Sequence, residues 1–243
     1  MAHFYLDELL ESATVGARVA IGGAEARHAV TVSRIALGQS VAIGNGAGLV
    51  ATGTVVTAEH TELAIEVNAV TEEVRRTPGM FLAQALAKGD RDELAVQAAT
   101  ELGVDGVIPW AAGRSISRWE GAKISKGRER WRAVVREATK QSLRAWIPDV
   151  LELATTKQLA RLADSTRMLV LEPTARDTLA AFEPDGRDIV LVVGPEGGVA
   201  PQELDVFAAA GASIVRLGDE VLRTSTAGPA GLAVLNLKLS RWS

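Results

Sequence analysis

Residues 188–198 read DIVLVVGPEGG, a continuous apolar run that ends in a glycine-rich loop. Such a run is typical of a strand buried on both faces of a sheet. The sequence PQELDVFAAAG follows at 201–211, where Pro201 suits a first helical turn and Glu203 suits the positive end of a helix dipole. This stretch therefore predicts a strand, a loop and a helix, the repeating unit of an α/β domain.

The same alternation extends from Met80 to the C-terminus. The predicted strands are MFLAQAL (80–86), VDGVIPW (104–110), MLVLEP (168–173), DIVLVVG (188–194) and ASIVRLG (212–218). The predicted helices are KGDRDELAVQAATELG (88–103), SKGRERWRAVVREATKQSLRAW (125–146), PQELDVFAAAG (201–211) and TAGPAGLAVLNLKLS (226–240). Apolar strands that alternate with helices indicate an α/β domain with a largely parallel sheet.

The N-terminal part, residues 1–74, has a different pattern. Short runs rich in β-branched residues alternate with glycine-rich turns, as in ARVAIGG, QSVAIGNGAG, LVATGTVVTA and ELAIEVNAV. The segment from Arg75 to Gly79 reads as a linker. We therefore predict a small β-rich domain at 1–74 and an α/β domain at 75–243.

The composition is typical of a globular protein, with 47% hydrophobic and 23% charged residues. The absence of cysteine excludes disulfides, thiolate nucleophiles and cysteine-based zinc sites, and three histidines make a histidine-rich metal site unexpected. No apolar run approaches the roughly 18 residues that span a bilayer. The start, MAHFYLDELLE, lacks the features of a secretory signal. We expect a cytoplasmic protein with no metal and no membrane partner.

The net charge of −4 is unevenly distributed along the chain. Residues 1–74 carry three basic and nine acidic groups, residues 75–148 carry fourteen and eight, and residues 149–243 carry nine and thirteen. The range 114–144 alone holds ten basic and three acidic groups. This asymmetry fits a local phosphate-binding face, and it also fits a solvated helix face.

A second glycine-containing loop follows a second strand. SIVRL (213–217) runs into GDEVLRTSTAG (218–228), which contains a cluster of polar donors, and MLVLEP adds Glu172 and Pro173 at a third strand end. Ligands of open α/β sheets lie beyond the carboxyl ends of strands, so these loops predict a small-molecule pocket. Their spacing matches neither the dinucleotide fingerprint nor the P-loop.

These motifs resemble a known family. LVVGPEGGVAPQEL (191–204) and RLGDEVLRTSTAG (216–228) resemble the cofactor signature of the SPOUT methyltransferases, and more narrowly that of the RsmE-type 16S ribosomal RNA uridine-N3 methyltransferases. KGDRDELAVQAATELGVDGVIPW (88–110), GRSISRWEGAKISKGRERWRAVVREATKQSLR (113–144) and HAVTVSRIALGQ (28–39) occur in the family's order. The resemblance therefore spans nearly the whole chain.

The resemblance implies a PUA-like β-barrel that helps to hold RNA, followed by an α/β domain threaded into a trefoil knot, an exception among folds. It also implies a homodimer that uses S-adenosylmethionine to methylate uridine N3 in 16S rRNA of the small ribosomal subunit. The implied cofactor-binding residues are Leu171, Glu172, Pro173, Gly194, Pro195, Glu196, Gly197, Gly198, Leu217, Gly218, Val221, Leu222, Arg223, Thr224, Thr226 and Ala227.

Methylation at uridine N3 requires loss of a proton, so the enzyme needs a base or a group that stabilises the uracil anion. Arg223 is the first candidate for that stabilisation, unless it simply pairs with Glu220. Glu196 either orders its loop or contacts the substrate, and no residue stands out as a general base.

The basic residues expected to face RNA are Arg34, Lys88, Arg91, Arg114 and Arg144. Trp119, Trp131 and Trp146 lie among these charges, where a tryptophan can stack on a base, but Trp131 is predicted to be core.

The sequence departs from the family pattern at two positions. Ser225 stands where the family often has glutamate, and Leu143 stands where it tends to have glycine, so we expect Leu143 to alter the local backbone. Ser225 is the best support for an alternative, a non-catalytic RNA-binding or ribosome-assembly protein. A nucleotide-binding enzyme unrelated to methylation is a third alternative, which the missing phosphate-loop fingerprints oppose.

Overall fold

The structure, a computed structural model, describes residues 3–242. The chain forms two compact units, one from Met1–Arg75 with Thr139–Ile147 and the other from Arg76–Ala138 with Pro148–Ser243. The division after residue 75 lies one residue beyond the predicted position. The segment Thr139–Ile147, which the sequence-based division assigned to the C-terminal domain, groups with the N-terminal unit.

The N-terminal unit contains a curled five-stranded sheet with the order β1-β3-β4-β5-β2. Its strands are β1 (His3–Leu6), β2 (Arg18–Gly22), β3 (Ser40–Gly44), β4 (Leu49–Ala58) and β5 (Glu62–Glu72). Strands β1 and β3 are parallel, and the other pairs are antiparallel. Two register shifts bend β4 against β5, and Gly53 lies at one of them because a Cβ there would overlap the carbonyl oxygen of Glu66.

The same unit contains helix α1 (Gly23–Thr31), which the sequence analysis did not predict. Only Ala26 and Ala29 of this helix are buried, so it carries little apolar periodicity to reveal it. The segment Thr139–Ile147 is held by backbone and indole hydrogen bonds. The amide of Gly48 donates to the carbonyl of Ala145 (3.0 Å), and the Trp146 indole donates to the carbonyl of Glu73 (2.8 Å).

The C-terminal unit contains an eight-stranded sheet in which every pair of described strands is parallel. Its strands are β6 (Met80–Ala85), β7 (Gly106–Ala111), β8 (Asp149–Val150), β9 (Ala154–Thr155), β10 (Arg167–Leu171), β11 (Asp177–Thr178), β12 (Ile189–Val193) and β13 (Ser213–Arg216). The order is β11-β13-β10-β12-β6-β7-β8, and β9 pairs with β7. The prediction of an α/β fold with a parallel sheet is confirmed. The short edge strands β8, β9 and β11 were not predicted, since each has only two residues.

The remaining helices are α2 (Arg91–Glu101), α3 (Ala122–Gln141), α4 (Thr156–Ala160), α5 (Pro201–Ala209) and α6 (Thr224–Lys238). Helix α6 lies directly on the sheet, because a Cβ at Gly231 would come within 2.7 Å of the Leu191 side chain. Helix α3 ends five residues before its predicted end. Leu143, which follows it, has a left-handed φ of +56° and so adopts the conformation that glycine favours.

Within the described residues, Trp131 is fully buried, which confirms its prediction as core. None of the helices in residues 3–242 is long and apolar enough to cross a membrane. That same range contains no cluster of three or more histidine and carboxylate side chains arranged to hold a metal ion.

Candidate functional site

Three neighbouring strands, β13, β10 and β12, end at the same edge of the parallel sheet. The loops that follow them surround a cavity of about 380 Å³, a size within the range of small-molecule sites. Leu171 and Val193 close β10 and β12 and line the cavity, as do Leu217 and Leu222 from the loop after β13. The sheet order explains this convergence of three loops that are distant in sequence.

The cavity contains most of the residues predicted to hold the cofactor. Those that line it are Leu171, Glu172, Pro173, Gly194, Pro195, Glu196, Gly198, Leu217, Gly218, Val221, Leu222, Arg223, Thr224 and Ala227. Five lining residues were not among the predicted cofactor-binding residues: Arg91, Val193, Val199, Arg216 and Glu220. All of these except Arg91 lie within the two quoted motifs (191–204 and 216–228), so taking each motif whole would have included them. Arg91 comes from α2, and no local signal connects it to this cavity.

Two of the predicted cofactor residues, Gly197 and Thr226, do not line the cavity. Gly197 lies against Arg114, since a Cβ at this glycine would be 3.2 Å from the Arg114 side chain. The exposed Thr226 hydroxyl donates to the Arg223 carbonyl (3.1 Å). Gly197 therefore accommodates a neighbouring arginine, and Thr226 satisfies a backbone group in the first turn of α6.

A buried threonine connects two of the cavity loops. The Thr224 hydroxyl donates to the Gly194 carbonyl (2.8 Å) and accepts a hydrogen bond from the Gln84 side-chain amide (2.9 Å). Gln84 is fully buried on β6, and Thr224 is nearly so at the start of α6. These hydrogen bonds fix the GPEGG loop relative to α6. Gln84 was not predicted, because a single polar residue in an apolar strand gives no indication of its partner.

Arg114 supports the outer side of the GPEGG loop. Its guanidinium donates to the carbonyl of Gly197 (3.0 Å), with a longer contact to that of Val199 (3.5 Å). Nearby, the buried Glu203 accepts hydrogen bonds from the amide of Gly113 (2.8 Å) and the hydroxyl of Thr156 (2.6 Å). The loop is therefore attached to the segment after β7, and helix α5, which follows the loop, is attached to that segment and to the start of α4.

Glu196 connects the GPEGG loop to the start of α2. Its carboxylate accepts hydrogen bonds from the Arg91 guanidinium (3.0 Å) and from the backbone amide of Lys88 (3.2 Å). Partial burial alone would raise the pKa of this carboxyl, but hydrogen bonds from its own amide and that of Lys88, together with Arg91, hold the pKa below its ordinary value. Glu196 is therefore an ionised, loop-ordering group, and the lowered pKa makes it a weak base.

Arg223 is the cationic side chain at the mouth of the cavity that is available for a ligand. It is exposed, lines the cavity and precedes α6. No hydrogen bond or ion pair engages its guanidinium among residues 3–242, and the alternative pairing with Glu220 is not formed there. The N-terminus of α6 adds a positive dipole end beside it. The arrangement favours anionic charge at this position.

The five basic residues predicted to face RNA lie in both units. Arg34 and Arg144 belong to the N-terminal unit, and Lys88, Arg91 and Arg114 belong to the C-terminal unit. Arg34 and Lys88 are exposed. Arg91 and Arg114 are engaged with the GPEGG loop, so their first role is to hold that loop in place.

Comparisons with known proteins show the family to which the chain belongs. A family model for the RNA methyltransferase domain matches residues 75–236. The chain is 40% identical to the ribosomal RNA small subunit methyltransferase E of Mycobacterium bovis, over 98% of this chain and 92% of that protein. It is 29% identical to the protein of the same name from Bacillus subtilis, over 93% of each.

Two solved structures are similar over almost the whole chain. One is the ribosomal RNA small subunit methyltransferase E of Neisseria gonorrhoeae bound to S-adenosylmethionine, with a TM-score of 0.86, 27% identity and 98% coverage of each chain. The other is a Legionella pneumophila methyltransferase in complex with S-adenosylmethionine, with a TM-score of 0.85, 26% identity and 98% coverage of each chain. From the family match and the 40% identical relative, the chain belongs to the RNA methyltransferase family that includes the ribosomal RNA small subunit methyltransferase E proteins.

Proposed function

We propose that this protein transfers the methyl group of S-adenosylmethionine to N3 of a uridine in the 16S rRNA of the small ribosomal subunit. The observation that carries the proposal is the cavity at the ends of β10, β12 and β13, lined by the two motifs that resemble the cofactor signature. Similar structures from two bacteria have S-adenosylmethionine bound, which supports the choice of cofactor. The names of the relatives support the RNA substrate.

The cavity has the chemistry that this cofactor requires. Leu171, Val193 and Leu222 offer apolar surface for an adenine ring, and Gly194 and Gly198 leave backbone groups accessible for hydrogen bonds to it. S-adenosylmethionine, when bound, supplies an electrophilic methyl group on a sulfonium.

The reaction exchanges the N3 proton of uridine, which is released to water, for a methyl group. The N3 atom forms the new bond to the methyl carbon while the carbon–sulfur bond breaks, and its electron pair stays with sulfur. Arg223 stabilises the negative charge that develops on the uracil as the proton leaves. The exposed guanidinium, which no other described residue engages, is available for this role, whereas Glu196 holds the loops that position the reactants.

The finer features of the fold belong to the same proposal. We place a PUA-like barrel in the curled sheet of the N-terminal unit and a trefoil knot in the C-terminal unit, with the cavity loops as part of the knot.

A homodimer is supported by large apolar side chains exposed on the C-terminal unit. These include Leu94 (56% exposed), Val221 (76%) and Leu237 (64%).

The proposal is tested by incubating the purified protein with S-adenosylmethionine and small ribosomal subunits that lack the modification. The 16S rRNA is then digested and its nucleosides are identified by mass spectrometry against a 3-methyluridine standard. We expect one 3-methyluridine per subunit, and free 16S rRNA tested in parallel distinguishes the two forms of the substrate. An unmodified nucleoside profile, with cofactor binding intact, would favour a non-catalytic RNA-binding protein.

A further inference from the structure

A second cavity, of about 490 Å³, lies on the C-terminal unit beside the loop that precedes α2. Its walls are the loop 87–90 with the first residues of α2, the segment 116–119, and the first turns of α3. The loop also contacts the first cavity, because the amide of Lys88 donates to Glu196 (3.2 Å). The two cavities are therefore neighbours, linked by the hydrogen bond from this loop to Glu196.

The acidic side chains of this second cavity are already engaged. Arg130 pairs with Asp90 (3.0 Å) and Glu93 (2.6 Å). Asp92 is buried and accepts hydrogen bonds from the backbone amides of Ala87 (3.3 Å) and Glu93 (3.0 Å). These carboxylates have little capacity left to attract a cation from solution.

The basic side chains, in contrast, are available. Lys88, Arg118, Lys123 and Lys126 line the cavity, and all four residues are exposed. In the described part of the chain, none of their side chains has a carboxylate within ion-pair distance. With five basic and three acidic side chains, the cavity lining has a net charge of +2, which favours an anionic ligand.

Trp119 gives the same cavity an aromatic wall whose position is fixed. Its ring lies across Gly127 and meets the buried Trp131 edge to face, with ring centroids 5.4 Å apart. A Cβ at position 127 would overlap the indole, so only glycine permits this placement. Glycine inside a helix is destabilising relative to alanine, and this close packing accounts for its presence in α3. Trp119 remains partly exposed and lines the cavity.

We infer that this second cavity binds a nucleotide of the same single-stranded RNA segment that presents its reactive base at the first cavity. The base stacks on Trp119, and the flanking phosphates pair with Lys88, Arg118, Lys123 and Lys126. Aromatic stacking combined with phosphate contacts is how proteins commonly hold unpaired RNA. The inference rests on the proposed function for its ligand class, and it makes the second cavity the element that holds the RNA strand near the reactive site.

The test is equilibrium binding of a fluorescein-labelled decauridylate, a single-stranded oligoribonucleotide, to the full-length chain. Trp119→Leu should weaken binding about 5-fold or more, because base stacking is lost, whereas Trp119→Phe should retain most of it. Lys123→Ala combined with Lys126→Ala should weaken binding and reduce the slope of its salt dependence by about 0.7 for each phosphate that no longer has a lysine partner. The charge-matched control is Lys157→Ala with Arg161→Ala, at exposed positions outside both cavities, and it should change neither.

Binding of S-adenosylmethionine, measured by calorimetry on every variant, separates this inference from the proposed function. Unchanged cofactor binding with weakened RNA binding in the Trp119→Leu and double-lysine variants supports the second site. RNA binding equal to that of the wild type in the double-lysine variant overturns it, even if the Trp119→Leu chain does not fold. No cofactor binding by the wild type contradicts the proposed function instead.

Discussion

Thr224 shows how a single hydroxyl can determine the shape of the site. It donates to Gly194 and accepts from Gln84, and thus connects the buried sheet with both cavity loops. Arg223, its neighbour, has the opposite character, since it is exposed and its guanidinium is engaged by no other described residue. Thr224 therefore fixes the loops, whereas the adjacent Arg223 remains available to the ligand.

Substitution Thr224→Val preserves the shape of the side chain but removes the hydroxyl. The buried Gln84 amide then keeps only its hydrogen bond to the Ala85 carbonyl, and the Gly194 carbonyl loses the hydroxyl, so we expect the free energy of unfolding to fall by about 1–3 kcal/mol. The affinity for S-adenosylmethionine should fall as well. Urea denaturation and calorimetry measure the two effects. The matched control is Thr226→Val at an exposed position, where the loss should stay below about 0.5 kcal/mol.

Substitution Arg223→Ala removes the group assigned to the uracil anion. We expect kcat for rRNA methylation to fall by about 10²- to 10³-fold, as for loss of a single donor that stabilises transition-state charge. Arg223→Lys should be less severe, because it keeps the charge. Single-turnover methylation of saturating subunits measures the effect, and a variant with wild-type kcat would rule out this assignment.

At the scale of elements, the site depends on how the GPEGG loop is attached to its neighbours. Arg114 attaches it to the segment after β7, and Glu196 attaches it to the start of α2. The sequence predicts the loop and its glycines from the apolar strand before it and the helix after it. It could not predict the partners of the loop, since Arg91 and Glu196 are 105 positions apart and are brought together only by the packed sheet.

The contacts of Glu196 predict how the stability of the protein and its affinity for the cofactor depend on pH. Because the pKa of Glu196 is lowered in the folded protein, its contribution to stability is complete above its ordinary pKa and is lost as pH falls through the lowered value. Cofactor affinity and stability should therefore be unaffected by this group between about pH 5 and 8 and decline only in more acid solution. Glu196→Gln should show a smaller acid-dependent decline in stability. A Glu196-dependent decline between pH 7 and 5 would require a raised pKa and would contradict this description.

At the scale of the whole molecule, periodicity predicts the α/β class and the main strands, because buried parallel strands are continuously apolar. It does not predict helix α1, where alanines supply the buried face, or the grouping of Thr139–Ile147 with the N-terminal unit. The charge asymmetry along the sequence also does not predict which basic residues are available to bind phosphate. Much of the basic range 114–144 is neutralised by local carboxylates, and Arg118, Lys123 and Lys126 are among its basic residues without such a partner.

The proposed homodimer makes a prediction about mass in solution. Sedimentation equilibrium at micromolar concentration should give twice the mass of the chain. Leu94→Asp combined with Leu237→Asp should shift the protein towards the monomer, since a charge at an apolar interface is costly to bury. Val56→Asp, at an exposed position on the N-terminal unit, is the control. A wild-type chain that sediments as a monomer throughout would exclude the dimer.

The central claim is that the cavity beyond β10, β12 and β13 is a site for S-adenosylmethionine. Isothermal titration calorimetry of the purified chain with this cofactor tests it most directly. We predict saturable binding of one cofactor per chain, with a dissociation constant on the order of micromolar or tens of micromolar. Titration to high micromolar cofactor without a binding signal, in a protein shown to be folded, would contradict the claim.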